Sequence, residues 1–437
     1  MRCGSAWLLG LAGGALSNAL VLEKRNNPAV FEVPLIKEHI SNQIAKRSDF
    51  LNINFTDKAS DFYAYYANFT FGSPPQTFKA YMQTYGNGCW LRGVNNWECE
   101  LYKDPSSCDG YGGYNRSTST TAKKLDEKFS YDDNGVTMNG DFVTDVMSIG
   151  GVKVDNMKMG IAGRDDVTSN RLSLGYGNAS STSLTQALVD AGAINSPAFS
   201  LWSESVLFGG VNKAKYNGSL HTFPIVNGSD LSKALRINMD GISINGTAAA
   251  SSAFPIDAVF DNHIAMTYAP KSVVEALTSH FANVSVPDEL GQVNFSCSSV
   301  SEYDTIEFKF GDLELQFYLS DFIGHRSDEL DGSGYSIDDD TCYFTIAENV
   351  DEDLQKQGSI VLGTNFMSLI YSVFDLENGE VSLAKRNSFI VPDDIVEIKS
   401  GKNGVPGAKK SSASSGVGSG LVTCLMLVVV AMLNLTL

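Results

Sequence analysis

The sequence predicts an all-β protein with a few short helices, and three observations carry that expectation. Aromatic residues make up 10% of the chain and glycines number 40, which suits many short strands joined by turns. The apolar runs are short and end in Gly, Asn, Asp or Pro, the residues that turn a chain. Helical spacing of apolar residues shows in two short segments only. With 437 residues, 43% of them hydrophobic, the chain can build one large domain or two medium ones, each with its own core.

The strand signal starts at residues 62–71 (FYAYYANFTF), aromatic and β-branched. Gly72-Ser73-Pro74-Pro75 turns the chain and residues 78–84 resume it, a hairpin pattern. A second strand run covers residues 142–149 and turns at Gly150-Gly151. Residues 183–191 (SLTQALVDA) carry helical spacing at Leu184, Ala187 and Leu188, with Ser183 placed to cap them. Residues 272–281 are the second helical segment. A turn-rich segment with an apolar pair before Gln or Asp occurs once in each half, at residues 80–90 and 258–270. Two similar halves are therefore suspected.

The two ends read as processing signals. Residues 1–19 place Arg2 before an apolar run and small residues up to Ala19, the order of a secretory signal peptide. Residues 20–47 contain two dibasic pairs, Lys24-Arg25 and Lys46-Arg47, and are expected to be a pro-segment with the mature chain starting near Ser48. At the other end, residues 391–420 read as a linker rich in Gly, Ser and Lys. The apolar tail 421–437 follows with nothing after it. That pattern fits a GPI signal, with the attachment residue between Gly407 and Gly416. A plain membrane anchor is the alternative. The expected address is the secretory pathway and then the cell surface, at the plasma membrane or in the cell wall.

Charge and cysteines narrow the partners. A net charge of −18 repels nucleic acid and anionic membrane surfaces, so both are excluded. Nine Asn-x-Ser/Thr sequons lie between the two ends, at Asn54, Asn68, Asn115, Asn178, Asn217, Asn227, Asn245, Asn283 and Asn294, as expected of a glycosylated surface protein. Five cysteines lie in the same region, where disulfides are expected outside the cell. Cys99 with Cys108 would close a small loop and Cys297 with Cys342 a larger one, leaving Cys89 over. There is no CxxC pair, no metal-ligand spacing among the five histidines and no G-x-S-x-G elbow. Residues 328–340 are acidic but lack EF-hand spacing. No metal or cofactor is implied.

Several ordered motifs resemble the pepsin-like aspartic proteases, and within them the fungal GPI-anchored yapsins. They are residues 66–76 (YANFTFGSPPQ), the stretch SPAFSL at 196–201 with LFGGV at 207–211 and KYNGSL at 215–220, the segment 258–270 (AVFDNHIAMTYAP), and 360–376 (IVLGTNFMSLIYSVFDL). The resemblance covers roughly residues 62–387. It implies two β-rich lobes, here residues 48–210 and 211–390, which meet in a cleft that binds peptide or protein. It also implies a disulfide between Cys297 and Cys342, and the protein is expected to be a monomer. One aspartate from each lobe does the chemistry. Two carboxyls held about 3 Å apart cannot both ionise, so they share one proton. One accepts a proton from the attacking water while the other donates to the substrate carbonyl.

The departures from that pattern fall on the catalytic parts. The first segment should read Asp-Thr-Gly and reads Gln83-Thr84-Tyr85, in register through Trp90. A carboxamide takes up no proton at any relevant pH. Tyr85 adds a ring near where water should sit. The second segment retains Asp261, but Asn262 replaces the hydroxyl residue and His263 the glycine. If residues 261–263 are extended, Asp261 and His263 share a face. The hydrophobic-hydrophobic-Gly element of the second half, Val361-Leu362-Gly363, has Arg171-Leu172-Ser173 as its first-half counterpart. In the hairpin that should cover the cleft (129–140), Asp132 takes the expected tyrosine position and Tyr131 stands one residue away. Three function classes follow: a surface pseudo-protease that binds ligands in the old cleft, an active aspartic endopeptidase relying on Asp261, or a structural glycoprotein of the wall.

Overall fold

A computed structural model describes residues 30–39, 63–84, 88–94, 111–133, 136–163, 170–177, 183–203, 205–226, 234–288, 291–325, 340–349, 355, 358–402 and 404–411. In chain order the first strands are β1 (Phe31–Pro34), β2 (Ile36–His39), β3 (Tyr63–Phe71), β4 (Gln76–Gln83), β5 (Trp90–Arg92), β6 (Lys123–Asp133), β7 (Val136–Ile149), β8 (Val152–Ala162) and β9 (Asn170–Ser173). Helix α1 (Leu184–Asp190) follows, then β10 (Ala198–Trp202), β11 (Ser205–Phe208), β12 (Gly210–Asn212) and β13 (Tyr216–Pro224). The second half holds β14 (Arg236–Met239), β15 (Gly241–Ile244), β16 (Thr247–Ala248), β17 (Ile256–Phe260), β18 (Thr267–Ala269), helix α2 (Lys271–Thr278) and β19 (Asn294–Ser296). It continues through β20 (Thr305–Phe310), β21 (Leu313–Tyr318), β22 (Ile323–His325), β23 (Thr341–Phe344), β24 (Ile346–Glu348) and β25 (Ile360–Leu362). Helix α3 (Thr364–Met367), β26 (Ile370–Asp375), β27 (Glu380–Arg386), β28 (Ile395–Glu397) and β29 (Lys409–Lys410) end the described chain.

The all-β expectation holds, with helices confined to short pieces. The predicted hairpin is β3 against β4, Phe69 opposite Phe78. Gly150 and Gly151, both at positive φ, make the two-residue turn between β7 and β8. Ser183 Oγ accepts the Gln186 backbone N–H and caps α1 as its sequence predicts.

An eight-stranded sheet, β2-β3-β4-β9-β5-β8-β7-β6, forms the first half. Sheets of five (β14-β17-β25-β18-β24), four (β16-β15-β20-β21) and three strands (β19-β23-β22) form the second. Strand β21 shows why such segments pair. Its sequence LELQFY alternates, with Leu313, Leu315 and Phe317 buried and Glu314, Gln316 and Tyr318 exposed, so one face is core and the other water.

A seven-stranded sheet, β1-β11-β10-β26-β27-β13-β29, joins strands from both halves. Its central strands β10 (AFSLW) and β26 (IYSVFD) are buried at every residue. Their buried hydroxyls are satisfied locally: Ser200 donates to Gly210 O at 2.6 Å and Ser372 to Leu201 O at 3.1 Å.

Residues 391–411 differ from the expected linker. Strand β28 pairs with β12 and β29 runs parallel to β13. Ile398 and Val405 are buried in a cluster with Trp202 and Tyr371. Composition pointed to a linker because Gly and Lys are frequent there, but widely spaced apolar residues suffice to seat the segment on a sheet. Residues 30–39 are equally built in, as β1 and β2.

Cys297 and Cys342 are disulfide-bonded. Cys89 is free and buried, and burial pushes its thiol up to about 12. Cys99 and Cys108 lie outside the described residues, as do Asn54, Asn178, Asn227 and the tail 421–437. Of the other sequon asparagines, Asn68, Asn217, Asn245 and Asn283 are exposed, while Asn115 and Asn294 are half-buried. Among the described residues no helix is long and apolar enough to cross a membrane.

Candidate active site

The two halves repeat one four-strand arrangement. In the first, β4 runs parallel to β9, β9 is antiparallel to β5, and β5 is parallel to β8. In the second, β17, β25, β18 and β24 stand in the same relations. Each arrangement ends its first strand at a buried polar residue at the centre of the molecule. Gln83 is the last residue of β4 and is 3% exposed; Asp261 directly follows β17 and is 4% exposed.

Reciprocal hydrogen bonds hold these two ends face to face. Thr84 Oγ1 donates to Phe260 O at 2.9 Å, and Asn262 Nδ2 donates to Met82 O at 2.5 Å. Each side chain thus reaches the carbonyl just before the opposite polar residue. The Thr84 backbone N–H donates to Asn262 Oδ1 at 2.8 Å and the Asn262 N–H to Thr84 Oγ1 at 3.2 Å. The resemblance leads one to expect a hydroxyl residue at position 262. Asn262 can make these bonds because an amide carries both a donor and an acceptor on one short side chain.

Asp261 and His263 are not on a strand and do not share a face. Residues 262–263 form a turn, and the His263 backbone N–H donates to Asp261 Oδ1 at 2.9 Å, an Asx-type closure. The His263 ring packs edge-on to Tyr81, centroids 4.7 Å apart. Burial first, and then the Arg171 cation, hold its imidazole well below the usual 6.5, so it is neutral in mild acid. Gln83 Nε2 is buried and has no hydrogen-bond partner among the described residues. Its backbone carbonyl accepts from Leu174 N at 2.8 Å.

Two features escape sequence reading. Arg171 is buried at the β9 position that Val361 occupies in β25, since Trp90 lies opposite Arg171 and Tyr268 opposite Val361. Its guanidinium lies over the Trp90 ring, 5.4 Å from the centroid. A basic residue inside a hydrophobic-hydrophobic-Gly counterpart was the available signal. The second feature is a tyrosine cluster that meets His263 through Tyr81. Tyr66 and Tyr81 join hydroxyls at 2.6 Å and Tyr66 and Tyr111 at 3.0 Å. Lys79 Nζ sits 4.9 and 4.5 Å from the Tyr66 and Tyr111 ring centroids and pairs with Glu38 at 2.8 Å. Burial raises all three phenols, so they stay protonated.

The glycine loops also differ. A Cβ on Gly363 would lie 2.1 Å from Met266 O, so only glycine fits there. Its counterpart is Ser173, paired with Gln83. The hairpin expected to cover the cleft is formed by β6 and β7, with Tyr131 opposite Met138 and Asp132 opposite Thr137. The side chains of residues 131–138, and all of Tyr85, lie outside the description. Among the described residues one group has metal-like spacing, Cys297, His325 and Cys342, but its two sulfurs are bonded to each other.

The family model described as "Eukaryotic aspartyl protease" matches residues 64–386. The chain belongs to that family. It is 28% identical over 434 residues to "Probable aspartic-type endopeptidase opsB" of Aspergillus oryzae, covering 92% of this chain and 85% of that protein. "Aspartic proteinase yapsin-3" of Saccharomyces cerevisiae is 25% identical over 368 residues, 77% of this chain and 68% of the relative. "Secreted aspartic protease 8" of Candida albicans is 27% identical over 339 residues, 74% and 76% of the two chains. The duplicated strands and the Thr84–Asn262 bonds give Gln83 and Asp261 equivalent places in the two halves.

Proposed function

We propose that this aspartyl protease relative is a secreted, cell-surface protein that binds peptide or protein segments in its cleft without hydrolysing them. One observation carries the reading: the position facing Asp261 across the Thr84–Asn262 bonds is the carboxamide of Gln83. Peptide hydrolysis by this architecture needs a base for water and an acid for the carbonyl at the same time. A single carboxylate supplies one of these, and each positioned group is worth about 10²–10⁴ in rate. The sequence also carries Tyr85 and His263 where the family pattern has glycine, two further departures in the catalytic segments.

In the same reading, residues 1–19 are a signal peptide, residues 48–210 and 211–390 are the two lobes, and the tail 421–437 directs a lipid anchor. The protein is glycosylated and acts as a monomer at the plasma membrane or in the wall. The name of secreted aspartic protease 8 accords with secretion.

The test is turnover of an unfolded protein by the purified chain between pH 3 and 6, beside an intact family member such as gastricsin. The expected rate is at least about 10²-fold lower, with binding of the same peptides retained and weakened by Tyr85→Ala. An equal rate overturns the proposal. The retained Asp261 favours a second reading, an endopeptidase of unusual chemistry; inhibition by a statine-type compound and loss of turnover in Asp261→Asn would support it. Cleft substitutions without effect on binding would leave a structural wall glycoprotein.

A further inference from the structure

We propose that the Cys297–Cys342 disulfide is the closed form of a redox-gated metal site, with His325 as its third ligand and a soft divalent ion such as Zn²⁺ as its occupant. Three strands of one sheet bring these residues together. Cys342 lies in the central strand β23, and His325 stands directly opposite it in β22. Strand β19 pairs with the other side of β23 and leads straight into Cys297. Backbone bonds hold these places. The Cys297 N–H donates to Asp340 O at 2.7 Å, and the Ser298 N–H donates to Asp340 Oδ1 at 2.8 Å. The frame is therefore fastened by more than the bond between the sulfurs.

The donor atoms already stand at metal-site spacing. His325 Nδ1 lies 3.4 Å from Cys342 Sγ and 3.6 Å from Cys297 Sγ. In a tetrahedral zinc site, with bonds of about 2.3 Å to sulfur and about 2.0–2.1 Å to nitrogen, a nitrogen and a sulfur sit about 3.5 Å apart. Both His–Cys distances match, so only the two sulfurs need to part. Two thiolates and an imidazole make a soft donor set that favours zinc over calcium or magnesium. His325 is exposed, Cys297 half-buried and Cys342 buried, so reductant and metal both arrive from the His325 side and meet Cys297 first.

Opening the site takes two electrons, which a small thiol supplies. Its thiolate attacks Cys297 Sγ, breaks the Sγ–Sγ bond and frees Cys342 as the thiolate. A second thiol attacks the mixed disulfide, frees Cys297 and leaves as the small-molecule disulfide. The zinc ion then binds both sulfurs as thiolates, their two protons pass to solvent, and the neutral His325 imidazole donates through Nδ1. The small disulfide, acting in reverse, closes the pair and expels the ion. The site operates whether or not the cleft hydrolyses peptides.

The experiment uses the full secreted chain, reduced with glutathione and freed of it without oxygen, and probes it with Co²⁺ and then Zn²⁺. The oxidised chain should take up neither. The reduced chain should stay folded by circular dichroism and bind one Co²⁺ with the near-ultraviolet charge-transfer band of cobalt–thiolate bonds, and Zn²⁺ should displace it. Oxidised glutathione should then release the Zn²⁺. His325→Ala, at an exposed position, should keep the disulfide and weaken metal binding by the reduced chain at least about tenfold, since removing even a ligand's supporting partner costs that much. Cys99→Ser with Cys108→Ser should bind as the wild type does. Equal uptake before and after reduction, no uptake by the reduced chain, unfolding on reduction, unchanged affinity in His325→Ala, or loss of uptake in the Cys99→Ser, Cys108→Ser chain overturns the proposal.

Discussion

The two halves share one strand arrangement yet differ in the residues at its centre. The first ends β4 on Gln83, places Ser173 beside it and buries Arg171. The second follows β17 with Asp261, requires Gly363 for close backbone packing and holds Val361 where the first has Arg171. Frame and chemistry are thus carried by separable residues. The strands and the Thr84–Asn262 bonds hold the halves in opposition whatever the polar residues between them can do with a proton.

The largest test of that asymmetry is to remove it. Gln83→Asp returns the second carboxylate, and with Tyr85→Gly and His263→Gly it also clears the rings. The triple variant should gain about 10²–10⁴ in turnover at acid pH over the wild type, with Gln83→Asp alone gaining far less. A full gain from the single change would mean that Tyr85 and His263 do not obstruct.

The glycine positions give the next effect. Gly363→Ala forces a Cβ against Met266 O and should cost about 1–3 kcal/mol in urea unfolding. Ser173→Gly, the same position in the first half, should change stability by less than about 1 kcal/mol. Equal costs would show that the two loops pack alike.

Thr84→Val removes the donor to Phe260 O and the acceptor for Asn262 N–H. At a net 0.5–1.5 kcal/mol per hydrogen bond, the loss should be about 1–3 kcal/mol. Asn262→Thr, which restores a hydroxyl on the opposite side, should be nearly neutral in the same measurement.

The smallest effect concerns pH. The folded His263 titrates well below 6.5, so as pH falls below that value the unfolded chain takes up a proton that the folded chain refuses. Stability is therefore lost on acidification, by about 1.4 kcal/mol per pH unit for one proton, until the folded pKa is reached. His263→Gln should flatten the fall in melting temperature between pH 7 and 4, and parallel curves would remove His263 from the account.

Much of the frame was legible because it rests on local patterns. An aromatic and β-branched run marked β3, Gly and Pro marked the turns, and Ser183 marked the start of α1. That the first strand end carries a carboxamide was legible too, since residue 83 is Gln in the sequence. Less legible was Asn262, which looks like a defect until its amide is seen reaching Met82 O across the two halves. The buried Arg171 and the tyrosine cluster also depend on strands that meet only in space.

By itself the sequence determined the strand-rich class, the first hairpin, the capped helix after Ser183 and the absence of a proton-carrying group at position 83, because these follow from side-chain chemistry and near-neighbour spacing. Only the tertiary structure decided that residues 30–39 and 391–411 belong to the folded body and that Asn262 completes the bridge between the halves. Those outcomes depend on which buried faces and unpaired backbone edges come together, and no single segment carries that information.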